Sequence, residues 1–243
     1  MAERLPLLIV KTGAKPPALG FVAGDYEDWI LAGMGWPADR ATVVAASRGD
    51  PLPPPGTVAG AVVTGSAAMV TEGGKWIATT AAWLREAVAA ERPVLGICFG
   101  HQLLAHALGG AVGWNPHGVE VGVVDVELLA AAHSDPLLGG LPTRFPGCVS
   151  HRQSASALPR GATLLARSAL EPHQAFRHGS AWGVQFHPEF EAALMPAYVD
   201  LFRPLLATLG RDADALAAAL PPTPESASVL RRFAAIVRDG GGG

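Results

Sequence analysis

Cys98 stands in the stretch "VLGICFGHQ", at the end of an apolar run, with Gly96 and Gly100 two residues to either side. A strand that ends in a thiol and turns at once into "GHQLLAHALGG" has the logic of a G-x-S-x-G nucleophile elbow, with sulfur in place of oxygen. The bend demands small flanks because it brings neighbouring backbone segments together. A sulfur at a helix N-terminus faces unpaired N–H groups and the positive end of the helix dipole, which favour thiolate. The Phe99 N–H would face the space above the sulfur and donate to a developing oxyanion. The same segment also fits a buried cysteine that only fills a βα turn.

A thiolate nucleophile needs a partner that handles protons. Of eight histidines, His187 stands in "WGVQFHPEF", where Pro188 pins the turn and Glu189 follows two residues on. Glu189 can accept a hydrogen bond from one imidazole nitrogen and leave the other for the sulfur. An ordinary surface His-Pro turn with a solvated glutamate would read the same way. The remaining histidines have plainer roles. His101 packs or hydrogen-bonds within its helix, and His151 supports a loop. His106 could pair with His101 on a metal, but no third ligand is placed by spacing, so no metal is expected. Cys148 reads as an inert strand residue, and the tryptophans as core.

The motifs "GICFGHQ" and "GVQFHPE" follow one another in order, and together they resemble the class I glutamine amidotransferases, whose domain hydrolyses glutamine and passes on ammonia. The resemblance runs from about the first strand to about Gly210. It implies Cys98 as nucleophile, His187 as general acid and base, and Glu189 as the carboxylate that orients it. The stretch "VVTGS" corresponds to the family loop that supplies a second oxyanion donor, here the Gly65 N–H beside that of Phe99. "VSHRQSASALPRGATLLARS" is similar to the family's substrate-binding segment. Glutamine would then be held by Gly65, Phe99, Gln102, Ser150, Arg152 and Gln153. Arg152-Gln153 stands where many relatives carry Gly-Asp, a departure at the contact to the substrate's amino group.

The implied function is hydrolysis of the glutamine side-chain amide through a γ-glutamyl thioester, with no cofactor. The likeness is to stand-alone, GMP synthase-like members, which implies glutamine as substrate and a separate ammonia-accepting synthetase subunit. No Gly-rich phosphate loop is present, and the chain ends too soon for an ATP-handling domain. A γ-glutamyl hydrolase would use the same nucleophile and histidine. Relatives of that kind often read Cys-Arg-Gly at the elbow, where this chain has Cys98-Phe99-Gly100. A non-catalytic binding or regulatory subunit ranks third.

The elements that must position these residues are legible in outline. "LPLLIVKTG" reads as a buried strand, "ATVVAAS" and "GAVVTGS" as two more short apolar runs closed by small or turn residues, and "PVLGI" as a fourth strand. "GDYEDWILAGM", "KWIATTAAWLREAVAAE" and "GHQLLAHALGG" carry helical spacing, and Gly109-Gly110 stops the last. This alternation implies an α/β fold: an open, mostly parallel sheet with helices on both faces. After Gly110 short strand candidates return to that sheet and add a small antiparallel flap, interrupted by a brief "SDPLLGG" helix. Pro196 and Pro204 should break or kink the helix in "FEAALMPAYVDLFRPLLATLG". The reading divides the chain into an amidotransferase-like domain over 1–210 and a linker with a helical extension over 211–243. That extension is "PESASVLRRFAAIVR", capped by Ser226 or Ser228, with a frayed "DGGGG" tail.

Composition sets the outer bounds. The 243 residues are 49% hydrophobic and 16% charged, with a formal net charge of −3 and scattered Lys and Arg. No basic stripe argues for nucleic acid. Two cysteines cannot make a disulfide framework, which points to a reducing compartment. No apolar run is long enough to span a bilayer, so the expected setting is cytoplasmic, without a membrane anchor.

Overall fold

Four short apolar runs have alternate residues facing opposite ways, and a strand inside the sheet must be covered both ways. In the computed structural model, which describes residues 5–218 and 220–240, these runs are strands β1 (Leu7–Val10), β2 (Ala41–Val44), β3 (Gly60–Val63) and β4 (Val94–Ile97). They pair in parallel in the order β2-β1-β3-β4. A later strand, Ala181–Val184, adds in parallel beside β4, with Leu95 opposite Trp182 and Ile97 opposite Val184.

Between them run α1 (Tyr26–Met34), α2 (Lys75–Ala89) and α3 (Phe99–Ala107). Asp25 caps α1 through the Tyr26 N–H, while Asp28 accepts from the Asp25 N–H in return. That reciprocal arrangement satisfies donors the helix itself leaves unpaired.

Two cores follow from the strand period. Leu7, Ile9, Val62, Leu95 and Ile97 lie in one cluster with Ile30 and Met34 of α1. Leu8, Val10, Ala61, Val63 and Val94 lie in the other with Trp83 and Leu84 of α2 and Leu103 and Leu104 of α3. The α/β fold with helices on both faces is therefore borne out.

The later strands are β5 (Ala111–Trp114), β6 (Glu120–Leu128), β7 (Arg144–His151), β8 (Gln153–Ala157), β9 (Thr163–Arg167), β10 (Ala175–His178) and β11 (Ala181–Val184). Among the described residues the main sheet has nine strands, ordered β2-β1-β3-β4-β11-β10-β9-β6-β7. Its last four are antiparallel to their neighbours. The small antiparallel piece is the separate β5-β8 pair.

The C-terminal half holds α4 (Met195–Thr208), α5 (Ala213–Ala218) and α6 (Pro224–Gly240). Val229, Leu230, Phe233, Ala234 and Val237 of α6 are at most 1% exposed and belong to the α1-side core.

Several local expectations are corrected. Pro196 does interrupt the helical run, because α4 starts only at Met195 and holds Pro196 in its first turn, where no N–H is needed. At Pro204, however, the helix is not broken and runs through it. Neither Ser226 nor Ser228 caps α6, because the helix begins at Pro224 and both serines lie inside it; the Ser228 hydroxyl donates to the Glu225 carbonyl. "DPLLGG" is a turn held by Asp135, whose carboxylate accepts from the Leu137 and Leu138 N–H groups. Asp239 and Gly240 of the tail continue α6, and the rest of it lies outside the described residues. Trp83 and Trp182 are core, but Trp114 is 64% exposed. No helix among the described residues is long and apolar enough to cross a membrane.

Candidate active site

Cys98 links β4 to α3 as the helix's N-cap residue, with φ 51° and ψ −101°. Few non-glycine residues adopt a positive φ, and such strain persists only where the surroundings enforce it. Here two glycines enforce it by proximity. A Cβ on Gly96 would lie 2.4 Å from the Gly100 carbonyl oxygen, and one on Gly100 would lie 2.4 Å from that of Val63. The crossing of β3, β4 and α3 leaves no room for a side chain. Cys98 is 5% exposed, and its N–H donates to the Val184 carbonyl at 2.9 Å. The Phe99 N–H opens the helix, where the backbone ladder supplies no acceptor.

That last bond ties the elbow to the strand leading to His187. Three residues beyond β11, His187 is held by its own N–H to the Cys148 carbonyl at 2.8 Å. Its Nδ1 lies 2.8 Å from Glu189 Oε1, with both side chains almost fully buried. Burial disfavours a charged imidazole, but the charges of Glu189 and Cys98 and the hydrogen bonds to both outweigh it. The His187 pKa is pushed up to about 10.

Gly65 completes the grouping from the end of β3. A Cβ there would be 3.1 Å from His187 Cε1 and 3.9 Å from Cys98 Cβ. Among the described residues the Gly65 N–H has no acceptor. Its loop is pinned by Thr12, whose hydroxyl reaches the Thr64 and Gly65 carbonyls at 2.8 and 3.1 Å, and by Ser66, which donates to the Thr12 carbonyl at 2.8 Å. All three segments leave the carboxyl ends of strands, the usual place for a site in an open α/β sheet.

A cavity over the sulfur is lined by Ser150, Arg152, Gln153, Gln102 and Phe99, all expected from the sequence, together with Cys98 and His187. Ser150 also meets the sulfur directly, its carbonyl 4.0 Å from Cys98 Sγ. The Gln102 amide nitrogen is already engaged, donating to the Gln153 carbonyl at 2.8 Å and to Gln185 Oε1 at 3.0 Å. Gln102 thus braces β8 from α3. His151 braces the same segment: Nδ1 lies 3.1 Å from the Gln153 carbonyl and Nε2 3.1 Å from Glu120 Oε2.

The sequence reading missed several residues here. Tyr26, Tyr198, Leu201, Phe202 and Met69 also line the cavity, and Thr71 anchors the Gln153 amide. Phe190 stacks flat on His187. The signal for Phe190 was within reach, in the motif "HPEF" itself; the others come from distant segments whose spacing carries no trace of the contact.

The histidine pair offered for a metal is split. His101 is fully buried, edge-on to Phe176, whereas His106 is exposed. Burial holds His101 neutral, with its pKa lowered to about 3. Cys148 is buried in β7, and burial pushes its thiol up to about 11.

The family model described as Glutamine amidotransferase class-I matches residues 57–202. A glutamine-hydrolyzing GMP synthase of Aeropyrum pernix is 39% identical over 160 residues, covering 65% of this chain and 26% of that protein. A protein of Thermococcus kodakarensis named as one subunit of a glutamine-hydrolyzing GMP synthase is 42% identical over 99 residues, covering 40% of this chain and 50% of that one. The chain thus spans half or less of these curated relatives. A glutamine amidotransferase structure from Thermotoga maritima superposes with a TM-score of 0.74 at 21% identity, covering 99% of this chain and 100% of that one. A glutamine amido transferase structure from Methylobacillus flagellatus gives 0.64 at 26% identity, covering 98% and 92%.

Proposed function

Because the chain belongs to the class I glutamine amidotransferase family, we propose that it hydrolyses the side-chain amide of glutamine to glutamate and ammonia. The observation that carries this reading is the convergence of Cys98 and His187 around Gly65, from segments far apart in the chain.

In this mechanism Cys98 attacks the amide carbon as thiolate, its proton held by His187. The new C–S bond places negative charge on the amide oxygen, which the Gly65 and Phe99 N–H groups receive. Donors of this kind contribute roughly 3 kcal/mol each. His187 gives its proton to the departing nitrogen, the C–N bond breaks, and ammonia leaves a γ-glutamyl thioester. Water then gives its proton to His187 and attacks the thioester. Glutamate leaves and the sulfur is restored. Glu189 holds the imidazole in register throughout and stabilises its charged form.

Relatives named as a single subunit of a glutamine-hydrolyzing GMP synthase support a second, separate polypeptide that consumes the ammonia. The reducing cytoplasm, where Cys98 stays a thiol, suits the reaction. The test is ammonia release from glutamine, together with labelling of Cys98 by a glutamine-analogue electrophile. Both are expected in the wild type and absent in Cys98→Ala. Faster release of amine from γ-glutamyl conjugates than of ammonia from glutamine would reassign the chain as a γ-glutamyl hydrolase. Indifference to the electrophile would make it a binding module.

A further inference from the structure

The cavity over Cys98 is electrostatically one-sided. Arg152 lines it, exposed, with its guanidinium carbon 5.2 Å over the Phe202 ring. Among the described residues that guanidinium makes no ion pair and no hydrogen bond, so its donors are free. No Asp or Glu lines the cavity among the described residues. The buried carboxylates behind it each hold a partner through one oxygen, Glu189 with His187, Glu120 with His151 and Glu171 with Ser154, and none of the three lines the cavity. Gln153, 1% exposed, faces the same space; its Nε2 donates to Thr71 Oγ1 at 2.5 Å, and its Oε1 has no partner among the described residues.

Glutamine brings an α-carboxylate and an α-ammonium to this surface. A guanidinium with free donors suits the carboxylate, because the two can pair bidentately. The ammonium finds no anion. It can gain only bonds to neutral oxygens, in which its charge meets no opposite charge. An oxygen such as Gln153 Oε1 accepts from an amide N–H as well as from an ammonium, and the ammonium's advantage there is only that of a charge-assisted bond to a neutral acceptor, without an ion pair. Leu201 also lines the cavity and is 42% exposed, an apolar surface on which an acyl group could lie.

We propose that the site demands the α-carboxylate of its substrate, through Arg152, and does not demand a free α-amino group. Nα-acylated glutamine, and glutamine at the C-terminus of a peptide, are then substrates. This rests on the glutaminase reading above. Gln153 sets the tolerance and Thr71 positions it.

The test compares ammonia release from L-glutamine, Nα-acetyl-L-glutamine and L-glutamine α-amide. The acetylated substrate is expected within about tenfold of glutamine in kcat/KM, and the α-amide at least 30-fold below, mainly in KM. Arg152→Ala should lower the first two toward the α-amide and leave the α-amide unchanged. Gln153→Asp, which adds the missing anion, should turn the preference toward free glutamine by tenfold or more. A wild-type loss above 100-fold on acetylation overturns the proposal while ammonia from glutamine upholds the glutaminase reading. No ammonia from any of the three, with Cys98 unlabelled by the electrophile, removes both.

Discussion

The imidazole of His187 lies flat on the Phe190 ring, with centroids 4.0 Å apart and planes 4° apart. Tyr198 stacks on the far side of Phe190 at 4.7 Å, and its hydroxyl lies 3.0 Å from that of Tyr26. The Glu189 bond fixes one ring nitrogen, and the stack fixes the plane of the ring. Phe190→Leu is expected to lower kcat about tenfold with KM little changed, because small displacements of a reacting group are costly. Phe190→Ala should also cost about 3–5 kcal/mol of stability, read from denaturant midpoints. An unchanged kcat in the leucine variant would remove the stack from the mechanism.

The His187 ionisation links stability to pH. Its pKa is raised from an ordinary 6.5 to about 10 by Glu189 and Cys98, against the opposing effect of burial. Stability that depends on the charged ring is complete below the unfolded value and lost as pH rises through the folded one. Denaturant midpoints should therefore fall between pH 6.5 and 10. Glu189→Gln should flatten that fall, since the carboxylate is gone. A wild-type profile level across the window would contradict the assignment.

Glu120 and His151 form a buried pair behind the substrate segment, with Ser168 and Gln174 also donating to the carboxylate. Burial works to raise the Glu120 pKa, and the His151 bond and charge more than reverse it. With its folded pKa lowered, the contribution is present above about 4.5 and lost as pH falls through the folded value. Glu120→Ala strands His151 and should cost about 3–5 kcal/mol. Since His151 steadies the Gln153 carbonyl, the surviving enzyme should show a raised KM for glutamine with kcat much less affected.

At the elbow, Gly100→Ala places a methyl 2.4 Å from the Val63 carbonyl oxygen. Backbone on both sides must move, so overpacking of about 3 kcal/mol is expected, along with loss of ammonia release. Circular dichroism and urea unfolding would show it. Retention of full activity would mean that the crossing of β3 and α3 is looser than its geometry.

The α6 helix is a structural element of the sheet's α1-side core. Gly33 approaches it so closely that a Cβ there would lie 2.5 Å from Leu230 Cδ1. Phe233→Ala should destabilise the chain by about 3–5 kcal/mol, and a chain cut before Pro224 should aggregate or fail to fold. A soluble, cooperatively unfolding truncation would show that the remaining core suffices.

The parts of the site that were legible in the sequence are those written in one short segment each. Gly96, Cys98 and Gly100 announce the elbow because the bend itself excludes side chains, and that need is local. His187, Pro188 and Glu189 announce an oriented imidazole because a two-residue offset already brings carboxylate and ring together. Continuous apolar runs likewise showed the parallel strands, since β1, β3 and β4 are buried on both faces, whereas the edge strand β2 is partly exposed. Tertiary structure alone decided the rest. It placed β11 beside β4, so that His187 meets Cys98. It laid α4 along the cavity, bringing Tyr198, Leu201 and Phe202 to it, and α6 under α1. It left Trp114 outside and Arg152 lining the cavity with no ion pair among the described residues. Such contacts join residues tens to hundreds of positions apart. They arise from the order in which strands pair, a property of the whole chain's packing that no window of sequence contains.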